Sequence, residues 1–192
     1  MQYINNNFDK IPQELKNYNN WVLWRLESRK GKKTKIPYQT NDKVESSTNP
    51  NTWITFSTVV KIYINKSNKY SGIGFMFSNT DITGVDIDNC TINGEINEHA
   101  QRIIKQFNSY TERNQSGTGI HILVKGKISK VIKKDIEIYG EGRYFALTGD
   151  KICGDSIEDR QNIFNSQSEA DQALCNHLAF WLDKDYNNID IT

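Results

Sequence analysis

Cysteine is scarce here: three in 192 residues (Cys90, Cys153 and Cys175), odd in number and far apart. That excludes a disulfide framework and a zinc-ribbon spacing, and it suits a reducing compartment. No apolar run approaches the length of a membrane span, and the first ten residues lack the apolar core of a secretion signal. There is no Gly-x-x-x-x-Gly-Lys-Ser/Thr, so no P-loop motor is encoded in this stretch. Charge of one sign is missing too: the formal net charge is +1, which by itself announces no nucleic-acid partner. Aromatic residues, by contrast, make up 11%, with four Trp, nine Tyr and eight Phe. Disordered chains lack these, so the sequence has material for a real core. The expectation is a soluble, cytoplasmic protein without a membrane partner.

Charge is unevenly spread. Arg29, Lys30, Lys32, Lys33 and Lys35 form one basic cluster, and Lys125, Lys127, Lys130, Lys133 and Lys134 a second. Such clusters are commonly solvated loops; a track for phosphates is the functional alternative. Trp21-Val22-Leu23-Trp24-Arg25-Leu26 predicts a strand, and 34–39 its return, with Pro37 marking an edge. Phe56, Val60 and Tyr63 predict a helix over 55–66, and Ile96, Ala100, Ile103 and Phe107 one over 95–108. Strands are expected at 71–77, 83–88, 119–125, 136–139 and 143–148, the last two around Gly140-Glu141-Gly142, with a final amphipathic helix over 169–183. The mixture is α+β, with antiparallel pairing near the C-terminal strands.

Three stretches carry chemistry. In Gly84-Val85-Asp86-Ile87-Asp88, strand alternation turns Asp86 and Asp88 to one face. Two carboxylates so close repel, and a hard divalent cation relieves the repulsion. The alternative is that the strand ends at Ile87 and the acids are turn residues. In Ser116-Gly117-Thr118-Gly119-Ile120-His121, small residues ahead of a strand let backbone N–H groups approach an anion. Ser116 and His121 add side-chain donors; an ordinary turn and a half-buried histidine are the plain alternative. In Ile136-Glu137-Ile138-Tyr139-Gly140-Glu141-Gly142-Arg143-Tyr144, alternation puts Glu137 opposite the core, Arg143 suits a phosphate, and Tyr144 suits stacking on a base or sugar.

Taken in order, Asp86-Ile87-Asp88, Ser116-Gly117-Thr118-Gly119-Ile120-His121 and Ile136-Glu137-Ile138-Tyr139 with Gly142-Arg143-Tyr144 resemble the three motifs of archaeo-eukaryotic-type primases. They are most similar to the primase-polymerase (prim-pol) branch of phages, plasmids and other mobile elements. Trp21-Val22-Leu23-Trp24, Thr34-Lys35-Ile36-Pro37-Tyr38, Ser46-Ser47-Thr48-Asn49-Pro50 and Gly72-Ile73-Gly74-Phe75 extend the likeness across 21–150. The resemblance implies an RRM-like antiparallel sheet packed with helices and joined to an N-terminal α/β unit. The catalytic domain would occupy 1–155, and 156–192 a helical extension or the start of a linker. It implies DNA primase-polymerase activity, with Asp86, Asp88 and Glu137 as ligands of two Mg²⁺ or Mn²⁺ ions. Ser116, His121 and the backbone at Gly117 and Gly119 would hold the triphosphate, with Lys35, Arg143 and Tyr144 as further contacts. Partners would be a single-stranded DNA template, NTP or dNTP substrates and a helicase in trans or on another segment. Many relatives have Asp where this chain has Glu137. A two-metal nuclease and a catalytically silent RRM-like binding module are the rival readings. A rolling-circle nuclease is disfavoured because His121-Ile122-Leu123 lacks its second histidine.

Overall fold

The bulky β-formers that open at Trp21 continue, in a computed structural model describing residues 7–47, 49–128, 132–133 and 136–164, into a nine-residue strand, β1 (Trp21–Arg29). A short helix, α1 (Gln13–Lys16), precedes it. Lys30 and Gly31 both adopt positive φ (50° and 77°), the two-residue turn that fits strand twist, and the chain returns as β2 (Lys32–Tyr38). Helix α2 (Phe56–Asn65) follows, its N-terminus capped by the Thr55 hydroxyl accepting from the Thr58 N–H. Then come β3 (Gly72–Met76), β4 (Ile82–Ile87) and a small hairpin, β5 (Thr91–Ile92) with β6 (Glu95–Ile96). Helix α3 (Glu98–Phe107) leads to β7 (Thr111–Arg113), β8 (Ile120–Lys125), β9 (Ile132–Lys133), β10 (Glu137–Tyr139), β11 (Tyr144–Leu147), β12 (Lys151–Cys153) and one turn of helix, α4 (Gln161–Phe164).

The strands form a four-stranded sheet, β11-β3-β1-β2, and a six-stranded sheet, β12-β7-β8-β4-β10-β9, antiparallel throughout. The protein is therefore α+β, with Pro37 on an edge strand as its missing N–H requires. One face of the first sheet, with Trp21, Leu23, Ile73 and Phe75, packs against Val59 and Tyr63 of α2 and against Phe8 and Leu15. Its other face carries Val22 and Met76 under Trp53 and Tyr144. Gly72 and Gly74 make this face possible. A Cβ would stand 2.7 Å from the Trp24 indole nitrogen at Gly72, and 2.6 Å from the Tyr144 ring at Gly74. In the second sheet Val85, Ile122 and Ile138 share one face and meet Ala100, Ile103 and Phe107 of α3.

Some expectations shift. Helix α3 starts at Glu98, not at residue 95, because Glu95 and Ile96 pair with Thr91 and Ile92 and the Asn97 side chain caps the helix by accepting from the Ala100 N–H at 2.9 Å. In α2 the deeply buried positions are Val59 and Tyr63, while Phe56 and Val60 are only half-buried. The strands flanking Gly140-Glu141-Gly142 are both present yet do not pair with each other. β10 belongs to the second sheet and β11 to the first, so the chain crosses between sheets at 140–143. The helix expected over 169–183, Lys130 and Lys134 lie outside the described residues. Among the described residues no helix is long and apolar enough to cross a membrane.

Candidate active site

Strand β4 lies between β8 and β10, and its register opposes Asp86 to His121 on one side and to Glu137 on the other. His121 is in turn opposite Glu112 on β7. Directly paired residues share a face, so Glu112, His121, Asp86 and Glu137 form one polar row across four strands. Alternation sends their neighbours Val85, Ile122 and Ile138 to the α3 side. Two residues along the same face, Gly84 admits the Phe77 and Phe145 rings, each of which would lie 2.5 Å from a Cβ there. At that end the two sheets are sealed by Phe77 on Phe145 and Tyr139 on Phe145. At the other end they part, leaving a cleft of about 460 Å³ lined by Asp86 and His121 from the second sheet and by Lys35, Tyr144 and Ala146 from the first.

Glu112 is fully buried and takes four donors: the N–H groups of Thr148 (3.0 Å) and Gly149 (2.9 Å), the Tyr110 hydroxyl (2.9 Å), and Nδ1 of His121 at 3.4 Å. A carboxylate only accepts, so it holds the hydrogen of His121 on Nδ1 and turns Nε2 toward Asp86, 3.8 Å away. Stacking on Phe145 at 4.2 Å fixes the ring plane. Asp86 is the uncomfortable member of the row. Its Oδ1 is buried without a hydrogen-bond partner. Burial pushes its carboxyl above the usual range; His121 and Lys35 pull it down, while Asp88 and Glu137 push it up. Lys35 is pushed down by burial and supported by Asp86, Asp88 and Glu112.

Asp88 departs from the expected strand face. β4 ends at Ile87, Asn89 turns the chain at φ 51°, and Asp88 is an exposed turn residue close enough to act on Asp86 electrostatically. Arg143 lines the cleft with its guanidinium 5.8 Å from the Tyr139 ring centre, and Tyr144 stands beside it. Ser116 and Gly117 do not line the cleft. The Ser116 hydroxyl donates to Asn114 Oδ1 at 2.7 Å, and Gly117 turns at φ 78° with its N–H on the Asn114 carbonyl. Gly119 brings that loop against the 87–88 backbone, where a Cβ would lie 2.6 Å from the Ile87 carbonyl oxygen. Glu141 is exposed. Among the described residues no three His, Cys, Asp or Glu side chains converge closely enough to hold a metal ion as they stand. Sequence reasoning missed Glu112 and Glu45, a second buried acid at the cleft. Glu112 sits on a three-residue strand, too short for alternation to declare itself.

Over 152 residues the chain is 32% identical to the DNA primase-polymerase of Nitratiruptor phage NrS-1, covering 73% of this chain and 20% of that protein. The chain belongs to the primase-polymerase family of phage replication proteins. The family model of the NrS-1 polymerase HBD domain also matches, at residues 167–191, outside the described part. The prim-pol domain here thus spans about a fifth of the length of the relative it matches. The α+β frame of antiparallel sheets agrees with that membership.

Proposed function

We propose that the domain is a DNA primase-polymerase, joining nucleotides to a primer 3′-hydroxyl, or to a first nucleotide, under the direction of a single-stranded template. The observation that carries the reading is the row in which Asp86 stands between His121 and Glu137, with one carboxylate oxygen buried and unpartnered. The chemistry of that row suits a hard divalent ion. Its donors are carboxylate oxygens, and Asp88 and Glu137 both penalise the charge on Asp86. Asp86, Asp88 and Glu137 would hold Mg²⁺ or Mn²⁺, which when bound supplies Lewis-acid activation of the attacking hydroxyl and stabilises the leaving pyrophosphate.

The remaining work falls to the chain's own residues. His121, oriented by Glu112 and by the Phe145 ring, would donate from Nε2 to the triphosphate as an imidazolium, with a hydrogen on each ring nitrogen. The Lys35 ammonium on β2 and Arg143 at the crossing between sheets bring positive charge to the same space. The sealed Phe77–Phe145–Tyr139 end keeps water from the back of the site. The exposed β1–β2 hairpin, with Arg29, Lys30, Lys32 and Lys33 at its tip, leads away from Lys35 and suits a template backbone. A helicase, in trans or on another segment, completes the proposed setting.

The test is incubation with single-stranded template, a primer, labelled nucleotides and Mg²⁺ or Mn²⁺, with products resolved by length. Metal-dependent growth of the primer is expected. Cutting of DNA without nucleotides would mark a nuclease. Template binding equal in EDTA and in Mg²⁺, with no product, would mark a binding module.

A further inference from the structure

Buried polar atoms without partners are uncommon, and those in a cleft mark places that a ligand completes. Among the described residues six side-chain atoms are of this kind, and three belong to cleft-lining residues: Asp86 Oδ1, Glu45 Oε2 and the Tyr144 hydroxyl. Asp86 belongs to the row above. The other two line the cleft outside that row, and the part of the wall around Glu45 is the corner considered next. Glu45 is only 6% exposed, and its two oxygens are treated differently. Oε1 accepts from the Ser46 N–H at 2.7 Å, the Thr52 hydroxyl at 2.6 Å and the Gln39 amide at 3.5 Å. Oε2 accepts from nothing.

Glu45 and Tyr144 line the same cleft, and three sets of interactions join the segments that carry them. The Trp53 indole N–H donates to the Ser46 carbonyl at 3.1 Å, while its ring packs in the small cluster that Tyr144 joins. The Ser78 hydroxyl donates to the Ser47 carbonyl and accepts from the Gly142 N–H, both at 2.9 Å, tying the two walls. The Glu45 N–H donates to the Pro37 carbonyl at 2.8 Å, so Glu45 is seated on the free edge of β2, beyond Lys35.

The chemistry of the corner limits what it takes. A carboxylate only accepts, whereas a phenol both donates and accepts. Phosphate oxygens only accept, and a buried carboxylate repels them, so the triphosphate belongs at the Lys35 and His121 end. A hydroxyl is the group that can donate to Glu45 and accept from Tyr144 at once. We propose that Glu45, with Tyr144, receives a sugar hydroxyl of the incoming nucleotide and is a specificity-determining residue. This rests on the primase-polymerase reading and adds to it the orientation of the nucleotide in the cleft.

The test is equilibrium binding, in Mg²⁺, of ATP, its 2′-deoxy, 3′-deoxy and 2′,3′-dideoxy forms and the guanosine counterparts, to the full chain and to Glu45→Gln. Glutamine keeps the size and one oxygen for Ser46 and Thr52. A hydrogen bond to a charged group is worth about ten- to a hundredfold in affinity. The wild-type chain should lose about that much when the recognised hydroxyl is removed, alike for both bases. Glu45→Gln should weaken the hydroxylated nucleotide by a similar factor, leave the deoxy form unchanged and so erase the preference. Wild-type indifference to the sugar, or a Glu45→Gln loss that follows the base, overturns the proposal. If the variant melts early, the wild-type series alone decides. Failure of every nucleotide to bind overturns the primase-polymerase reading as well; binding without sugar preference overturns only this inference.

Discussion

Replacing Asp86 by Asn should make the protein more stable while it abolishes synthesis. A buried charge without a hydrogen-bond partner costs more than a buried neutral amide, and Oδ1 of Asp86 is buried without a partner. Asp88 and Glu137 add repulsion, while His121 at 3.8 Å and Lys35 return part of it. The net gain for a neutral amide is about 1 kcal/mol, which raises Tm by roughly 2–4 °C in a protein of this size. The pH dependence has a definite sign. Burial raises the carboxyl's pKa in the folded state, so as pH rises the unfolded chain ionises first. Stability contributed by this group is present below the ordinary carboxylate range and is lost as pH climbs through the raised value. The advantage of Asp86→Asn should therefore be full at pH 7.5 and shrink as pH approaches about 4. Thermal melts of both proteins across that range read the effect directly. In the same melts Mg²⁺ should raise the wild-type Tm and leave the variant's unchanged, since a ligand stabilises only the fold that binds it. A variant that melts below wild type by the same margin at every pH would refute the reasoning.

Glu137→Ala should eliminate primer extension and Glu141→Ala should leave most of it, because the register sets Glu137 beside Asp86 and leaves Glu141 in an exposed turn; the extension assay that finds the reverse removes Glu137 from the site. His121→Ala should weaken nucleotide binding about ten- to a hundredfold and single-stranded DNA binding far less; equal losses in titrations of the two ligands would make His121 merely structural. Neutralising Lys30, Lys32 and Lys33 should flatten the salt dependence of DNA binding by about 0.7 in log–log slope for each phosphate that a lysine no longer neutralises, with nucleotide affinity unchanged. Gly74→Ala should cost about 1–3 kcal/mol in urea unfolding, since its Cβ would meet the Tyr144 ring at 2.6 Å and the Phe145 carbonyl oxygen at 2.9 Å.

The sequence was most readable where a local rule and the fold agree. Lys30-Gly31 between two β-rich runs is a hairpin in the chain and in space. Ile136 and Ile138 flanking Glu137 announced its face correctly, because both isoleucines pack under α3 and the acid is turned the other way. For Asp88 the alternative holds: the strand ends at Ile87, and Asn89 adopts a left-handed turn, a conformation open to asparagine. Reading failed where a distant partner decides. Glu112 looks like a surface acid until the Thr148–Gly149 amides are brought to it from elsewhere in the chain, beside its near neighbour Tyr110. Glu45 lies in a turn-rich stretch where burial of a carboxylate has no pattern to betray it. The strands around Gly140 were placed well, but alternation says nothing of which sheet a strand joins.

The crossing at 140–143 has a consequence for how the chain is made. One edge of β3 is closed by β11, which reaches it only after the second sheet's β4, β7, β8 and β10 have been synthesised. Until Tyr144–Leu147 leaves the ribosome, that edge presents unpaired amides and carbonyls beside Phe75 and Ile73, the surface on which strands of other chains add. A fragment ending before residue 144 should therefore self-associate rather than fold as a smaller unit. The strands of the two sheets interleave along the chain, and the cleft between them is complete only when the last strand of the first sheet is laid down.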